Sequence, residues 1–328
     1  MIDTIINISL LTFLALTAVA IVRITNLFAV IMLFGIFSFL SASLFMIMDA
    51  VDVSLTEAAV GAGVSTVLML ATLALTKDHE EKQPEKNRHW LPLAVVLMTG
   101  AALVYGTLDI PGFGDPTSPA QTHVSPYYIE QAARETGVPN IVTAVLASYR
   151  GFDTLGEVVV IFTAGIAVLL LLGDKHQKPI TGGAKEKRIP QNLVLRIISK
   201  TVIPLIILFA LYVQFHGDYG PGGGFQAGII MSAALILYSL VFGLEAAERI
   251  IPKSLLTFLI SLGVLIYASV GIVSLFMGGN YLDYSVLADN QIAGQHLGIL
   301  LVELGVGISV FAVMLTIFFT FAGRERPR

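Results

Sequence analysis

The sequence predicts an all-α bundle of about nine membrane-spanning helices, and three observations carry that prediction. Of the 328 residues, 55% are apolar and only 13% charged, a balance that a water-soluble domain does not sustain; mean hydropathy is +0.83. The apolar residues fall in runs of about 20, the length that crosses a bilayer at ~1.5 Å per residue. These runs are continuous, where the strands of a membrane barrel would alternate over ~10 residues. With the amino terminus outside, all but Arg134 and Arg150 of the 19 lysines and arginines fall on the inner side, which predicts an N-out, C-in topology.

The expected spans are 5–22, 27–48, 54–76, 90–108, 155–173, 193–215, 225–244, 255–277 and 294–321. The first has an acidic amino end at Asp3 and Arg23 after its apolar run, the reverse of a signal peptide, so it is expected to remain as a span. Two charged inner linkers, 77–89 and 174–190, divide the chain into modules at 1–76, 90–173 and 191–328, of three, two and four spans. One long outer connection, Asp109 to Thr154, starts rich in Pro and Gly and then carries helical patterns near Tyr127 to Thr136 and Pro139 to Tyr149. No internal repeat marks the inverted plan of many independent transporters. Without cysteine the chain has no thiolate-held cluster or zinc, and its six histidines have no metal-ligand spacing. No nucleotide-binding, nucleic-acid or hydrolase pattern is present, so no cofactor is expected.

Carboxylates placed in membrane helices are costly and mark candidate ion sites. Glu57 sits at the start of the third span in Ser54-Leu55-Thr56-Glu57, just after Asp49 and Asp52. Spacing leaves two readings open there, an ion-path group or the Glu of a capping box begun by Ser54. Glu157 repeats the choice with Thr154, and Arg150 is spaced to pair with Asp153. Glu303 lies inside the last span with His296 seven residues before it, on roughly the same helical face. That pair reads as a proton or cation relay, against a packing role for a protonated Glu303. Arg196 and Lys200 stand one turn apart near an inner end, where long stems reach the headgroups. Pro204 follows and removes a helical hydrogen bond, so a kink is expected beside Lys200.

Between the sixth and seventh apolar runs lies His216-Gly217-Asp218-Tyr219-Gly220-Pro221-Gly222-Gly223-Gly224-Phe225-Gln226-Ala227-Gly228. Pro221, without an N–H, and the glycines Gly222, Gly223 and Gly224 dictate a tight turn with bare backbone. His216 and Asp218 are candidate outer relay groups, and the glycines are expected to pack against a partner protein. This stretch, with Leu195, Arg196, Pro204 and Tyr212 before it, resembles the B subunit of Mrp-type multisubunit Na+/H+ antiporters over about 190–325. Leu55-Thr56-Glu57-Ala58-Ala59-Val60-Gly61-Ala62-Gly63 resembles the carboxy-terminal part of the large A chain of the same antiporters. That part is itself related to a small subunit of membrane-bound hydrogenases and to the J chain of respiratory complex I. Arg150-Gly151-Phe152-Asp153-Thr154-Leu155-Gly156-Glu157 resembles the end of the A chain.

The resemblance implies a multi-pass subunit of a complex in a prokaryotic cell membrane, a transporter subunit and not an enzyme. Its implied partners are other Mrp-type subunits, including the large complex I-like ones, with lipid, Na+ and H+. It also implies ion-transport roles at the positions of Glu57 and Glu157. The equivalent subunit of a redox-driven complex, and a structural adaptor without an ion path, are the alternatives.

Overall fold

The computed structural model describes residues 2–73, 90–112, 114–172 and 193–323, and its regular elements are all helical. Both charged linkers expected from the sequence lie outside the described residues. In chain order the main helices are α1 (Ile2–Arg23), α2 (Leu27–Ile47), α3 (Val51–Leu73), α4 (Trp90–Gly106) and α5 (Val124–Thr136). After them come α6 (Gly151–Leu172), α7 (Leu193–His216), α8 (Gly224–Phe242), α9 (Lys253–Phe276) and α10 (Gln291–Ala322). All but α4 and α5 are long and apolar enough to cross a membrane, making eight such helices among the described residues. The expected fourth span is the difference: α4 has 17 residues, about 25 Å at the helical rise, and each of them is exposed.

The organising helix is α10. Of its most apolar stretch 61% is buried, against 0% for α1. It packs against α6, α8 and α9 and touches the far part of α3, and its Val310, Leu315, Phe318 and Phe319 form the centre of the core. Small residues let α8 lie against it. A Cβ on Gly224 would strike the Glu303 carbonyl, and one on Gly228 would lie 2.6 Å from the Gly307 carbonyl oxygen. The apolar faces of α1, α4 and α7 stay largely exposed, as expected of surfaces that meet lipid or other membrane helices.

Between α4 and α6 the chain builds a small cap. A single turn at Pro119–Thr122 leads to α5, and Ile141–Thr143 runs on into a π-helical stretch, Ala144–Tyr149. Both helical patterns read from the sequence in this connection are present. The Tyr127 hydroxyl donates to Glu135 at 2.6 Å and the Tyr149 hydroxyl donates to its other oxygen, holding the Glu135 carboxyl below its ordinary range. A lowered pKa means that this clasp is complete above the ordinary carboxylate range and is lost as pH falls through the lowered value.

The turn from α7 to α8 is gripped by this cap. The Asn140 side chain donates to the carbonyls of Gly217 (3.1 Å) and Gly220 (2.9 Å), its backbone N–H donates to Asp218 (3.1 Å), and Thr143 Oγ1 donates to Gly217 (2.7 Å). Gly223, at φ 113°, takes a backbone conformation that a Cβ would strain. Its N–H closes the turn on Val213 at 3.0 Å.

Two outcomes follow. Gly224→Ala forces α8 off α10 and lowers the yield of folded protein, whereas Gly156→Ala, with open space around it, leaves yield unchanged in the isolated chain. Asn140→Ala strips the Gly220 carbonyl of its partner and costs about 1–3 kcal/mol, read as a melting temperature several degrees lower; an unchanged melting temperature contradicts the grip described here.

Candidate functional site

Beneath the glycine turn lies a cavity of about 220 Å³. Three distant stretches of chain wall it: the start of α3 through Asp52 and Thr56, residues 142–161 through Thr143 and Glu157, and the glycine turn with the last three spans through Gly222 to Gln226, Tyr267 and Glu303. Two of the expected carboxylates, Glu157 and Glu303, therefore share one space, 146 residues apart in sequence.

Glu303 lies directly under the turn. Its Oε1 would be 3.1 Å from a Cβ on Gly223 and 3.3 Å from one on Gly217, so a side chain at either position would crowd the carboxyl. At the same turn, His296 Nδ1 lies 3.4 Å from Asp218 Oδ2. His296, expected to act with Glu303, thus has Asp218 of the turn as its acidic neighbour. Glu157 projects from the first turns of α6 into the cavity, where Tyr267 is its neighbour. The Tyr267 hydroxyl is committed to the Gly151 carbonyl at 2.7 Å.

The capping readings of Glu57 and Glu157 do not hold. α3 starts at Val51, so Ser54 is interior and its hydroxyl donates to Ala42 of α2 at 2.7 Å. α6 starts at Gly151, and Thr154 donates to Leu146 at 2.7 Å. The tertiary bonds available to these hydroxyls displaced the local ones that spacing allowed. Arg150 does pair with Asp153, Nε to Oδ2 at 2.6 Å, on an exposed surface where such a pair adds little.

Glu57 lies outside the cavity. Its Oε1 would be 2.7 Å from a Cβ on Gly61, beside the buried Ser38 of α2, and the helix widens into a π-helical stretch, Ala58–Ser65, immediately after it. Lys200 is exposed on α7, and at sixteen residues from His216 it stands about 24 Å down that helix from the turn. His216 is half-buried and stacks on Tyr212 at 4.8 Å between ring centroids, away from the cavity lining. His216 thus has Tyr212 as its ring neighbour, whereas Asp218 has His296. Arg196 lies over the Phe242 ring at 5.5 Å, and Pro204 stands inside an unbroken α7. The glycines from 222 to 224, expected against a partner protein, pack on this chain's own α3 and α10.

Sequence reasoning passed over Asp52, Thr56, Asn140, Thr143 and Gln226 as site groups. Asp52 Oδ1 accepts the Gly222 N–H at 3.2 Å, and Gln226 Nε2 donates to Thr56 Oγ1 at 2.9 Å. The available signal was polarity within apolar runs, as at Gln226 inside α8.

Comparison with known proteins matches residues 194–316 to a domain described as related to the MnhB subunit of Na+/H+ antiporters. Residues 12–78 match MbhD, described as the D subunit of MBH, and 88–182 match MbhE, described as the E subunit of MBH. A Rhizobium meliloti (strain 1021) protein named as the probable A/B subunit of a K(+)/H(+) antiporter is 29% identical over 185 residues, 51% of this chain and 18% of that protein. Antiporter subunit mnhB2 of Staphylococcus aureus (strain Newman) is 35% identical over 135 residues, 40% of this chain and 95% of the relative. The solved Mrp complex from Dietzia sp. DQ12-45-1b contains a chain that superposes with a TM-score of 0.75 at 26% identity, covering 97% of this chain and 35% of that one. This chain thus spans only a minor part of the A/B relative and of the Dietzia chain, but nearly all of mnhB2. A polytopic helical chain with this turn, and with these matches along its length, belongs to the MnhB family of Na+/H+ antiporter subunits.

Proposed function

We propose that the chain is an accessory membrane subunit of a multisubunit cation/proton antiporter of the Na+/H+ class, contributing to an ion path and to assembly of the complex. The observation that carries this reading is the meeting of Glu157 and Glu303 in one cavity under the glycine turn. Acidic side chains in membrane helices are costly, and two that converge on a shared space have the form of an ion route. In this reading Asp218 and His296 lead in from the outer side of the turn, and Glu57 serves a second branch toward α2. His216 and Lys200 take part only from the exposed side of α7, where a partner protein would complete the route.

The sequence modules at 1–76, 90–173 and 191–328 are the units of this proposal, with N-out, C-in orientation from the distribution of basic residues. The partners would be the remaining Mrp-type subunits, including the large complex I-like ones that this chain does not contain. The matches to MbhD and MbhE favour a second reading, the equivalent subunit of a redox-driven ion-pumping complex. Nickel-iron or iron-sulfur proteins that purify with the chain would decide for it.

Glu57→Ala and Glu157→Ala complexes are expected to assemble and to lose Na+-dependent proton movement in everted vesicles. Full activity in both would remove the ion path from this chain. Glu303→Gln should likewise reduce transport without loss of assembly, and unchanged transport would return that residue to packing.

A further inference from the structure

The end of the bundle opposite the glycine turn carries two cations without acidic partners. Arg196 and Lys200 are exposed on α7, one helical turn apart, and no carboxylate among the described residues forms an ion pair with either. Neither α7 nor α8 contains an Asp or Glu, and Glu245, the first acid beyond α8, makes no such pair. The Arg196 guanidinium is nonetheless anchored: it lies over the Phe242 ring of α8 at 5.5 Å from the centroid, and its N–H donors stay uncommitted. Tyr238 packs on that ring at 4.7 Å between centroids. Because α7 and α8 run antiparallel through the turn, four residues on from the Arg196–Phe242 contact bring Lys200 and Tyr238 to one level. The Tyr238 hydroxyl has no hydrogen-bond partner among the described residues. Pro204 has no N–H to give to the Lys200 carbonyl, so an acceptor is left there too. A forked donor, an ammonium and a hydroxyl, with no acid among them, make a set that takes a phosphate ester.

Depth and surroundings make that phosphate a lipid's. Arg196 stands twenty residues before His216, about 30 Å down α7 from the turn, which is the thickness of a bilayer's hydrocarbon core. A turn at one membrane face therefore puts Arg196 at the phosphate level of the other. Around the two cations the surface is apolar, with Leu193, Ile197, Ile198 and Leu205 each more than half exposed. Acyl chains cover such a surface, whereas a free anion leaves it bare. The sequence before α7 adds Lys175, Lys178, Lys185, Lys187 and Arg188 against Asp174 and Glu186, an excess that favours an acidic membrane surface.

We propose that one anionic glycerophospholipid binds in the groove between α7 and α8. Its phosphate sits on Arg196, Lys200 and the Tyr238 hydroxyl, its headgroup hydroxyls turn to the Lys200 carbonyl, and its acyl chains run along α7. Since α7 packs chiefly on α8 and leaves most of its other surface exposed, the lipid ties the two helices at the end that the glycine turn does not hold. Its binding does not depend on an ion route in this chain. At Lys200 it takes the place that the ion-route reading gives to a partner protein, and the test separates the two.

The test uses the purified assembled complex, stripped of loosely held lipid, and counts bound dioleoylphosphatidylglycerol against dioleoylphosphatidylethanolamine by native mass spectrometry. Wild type should retain one more phosphatidylglycerol per copy of this chain than the Arg196→Gln, Lys200→Gln double variant. Each single substitution should weaken binding roughly fivefold, as expected for one cation beside a membrane phosphate. Arg196→Lys keeps the charge and Tyr238→Phe removes only the hydroxyl, so either serves, with a smaller loss of affinity expected, if the Gln variants do not assemble. Phosphatidylethanolamine should not substitute, and millimolar inorganic phosphate should not displace the lipid. An unchanged phosphatidylglycerol count and affinity in assembled variants overturn the site, as does equal retention of phosphatidylethanolamine or displacement by inorganic phosphate. Variants that shed a protein subunit, where wild type stripped of all lipid keeps it, also overturn the site and give the two cations to an acidic partner protein.

Discussion

A peptide group withdrawn from water must be given a hydrogen-bond partner, and in this chain that requirement falls most heavily on the turn between α7 and α8. Its glycines and proline cannot continue a helix, so its carbonyls and N–H groups have to find partners elsewhere. They find them on Asn140 and Thr143 from the connection before α6, and on Asp52 from the start of α3. The bonds that satisfy the turn are therefore the bonds that join sequence-distant helices. A cavity forms where they meet, because a turn of bare backbone fills less space than side chains would.

The same economy explains the position of Glu303. A side chain at Gly217 or Gly223 would press on its carboxyl, and a side chain at Gly224 would collide with its backbone. Glycine at these positions thus serves conformation, helix approach and room for a carboxylate at once. α10 gains from this a close seat against α8, and Glu303 is presented to the cavity without a break in the helix.

Much of this architecture was legible in the sequence. Run lengths located the spans, because the bilayer imposes a length that composition records directly, and only α4, with 17 described residues, falls below that length. The turn was legible from Pro221 and its glycines, and Glu303 stood out as a charge within an apolar run. What could not be read was which distant groups each polar side chain meets. Ser54 and Thr154 carried capping spacing, yet both hydroxyls bond to carbonyls of other elements. His216 and Asp218 are two residues apart but face different surroundings, and the π-helical widening after Glu57 leaves no signature in residue type. Asp52 and Gln226 look unremarkable singly and acquire meaning only when α3 and α8 are brought together.

The central claim is that α3 reaches the glycine turn, placing Thr56 against Gln226, 170 positions apart in sequence. The chain has no cysteine, so a Thr56→Cys, Gln226→Cys pair can be introduced and oxidised in native membranes against a clean background. With a protease site inserted between residues 77 and 89, the account predicts a single species on a non-reducing gel and two fragments after reduction. Two fragments before reduction, in a complex that has assembled, would contradict it.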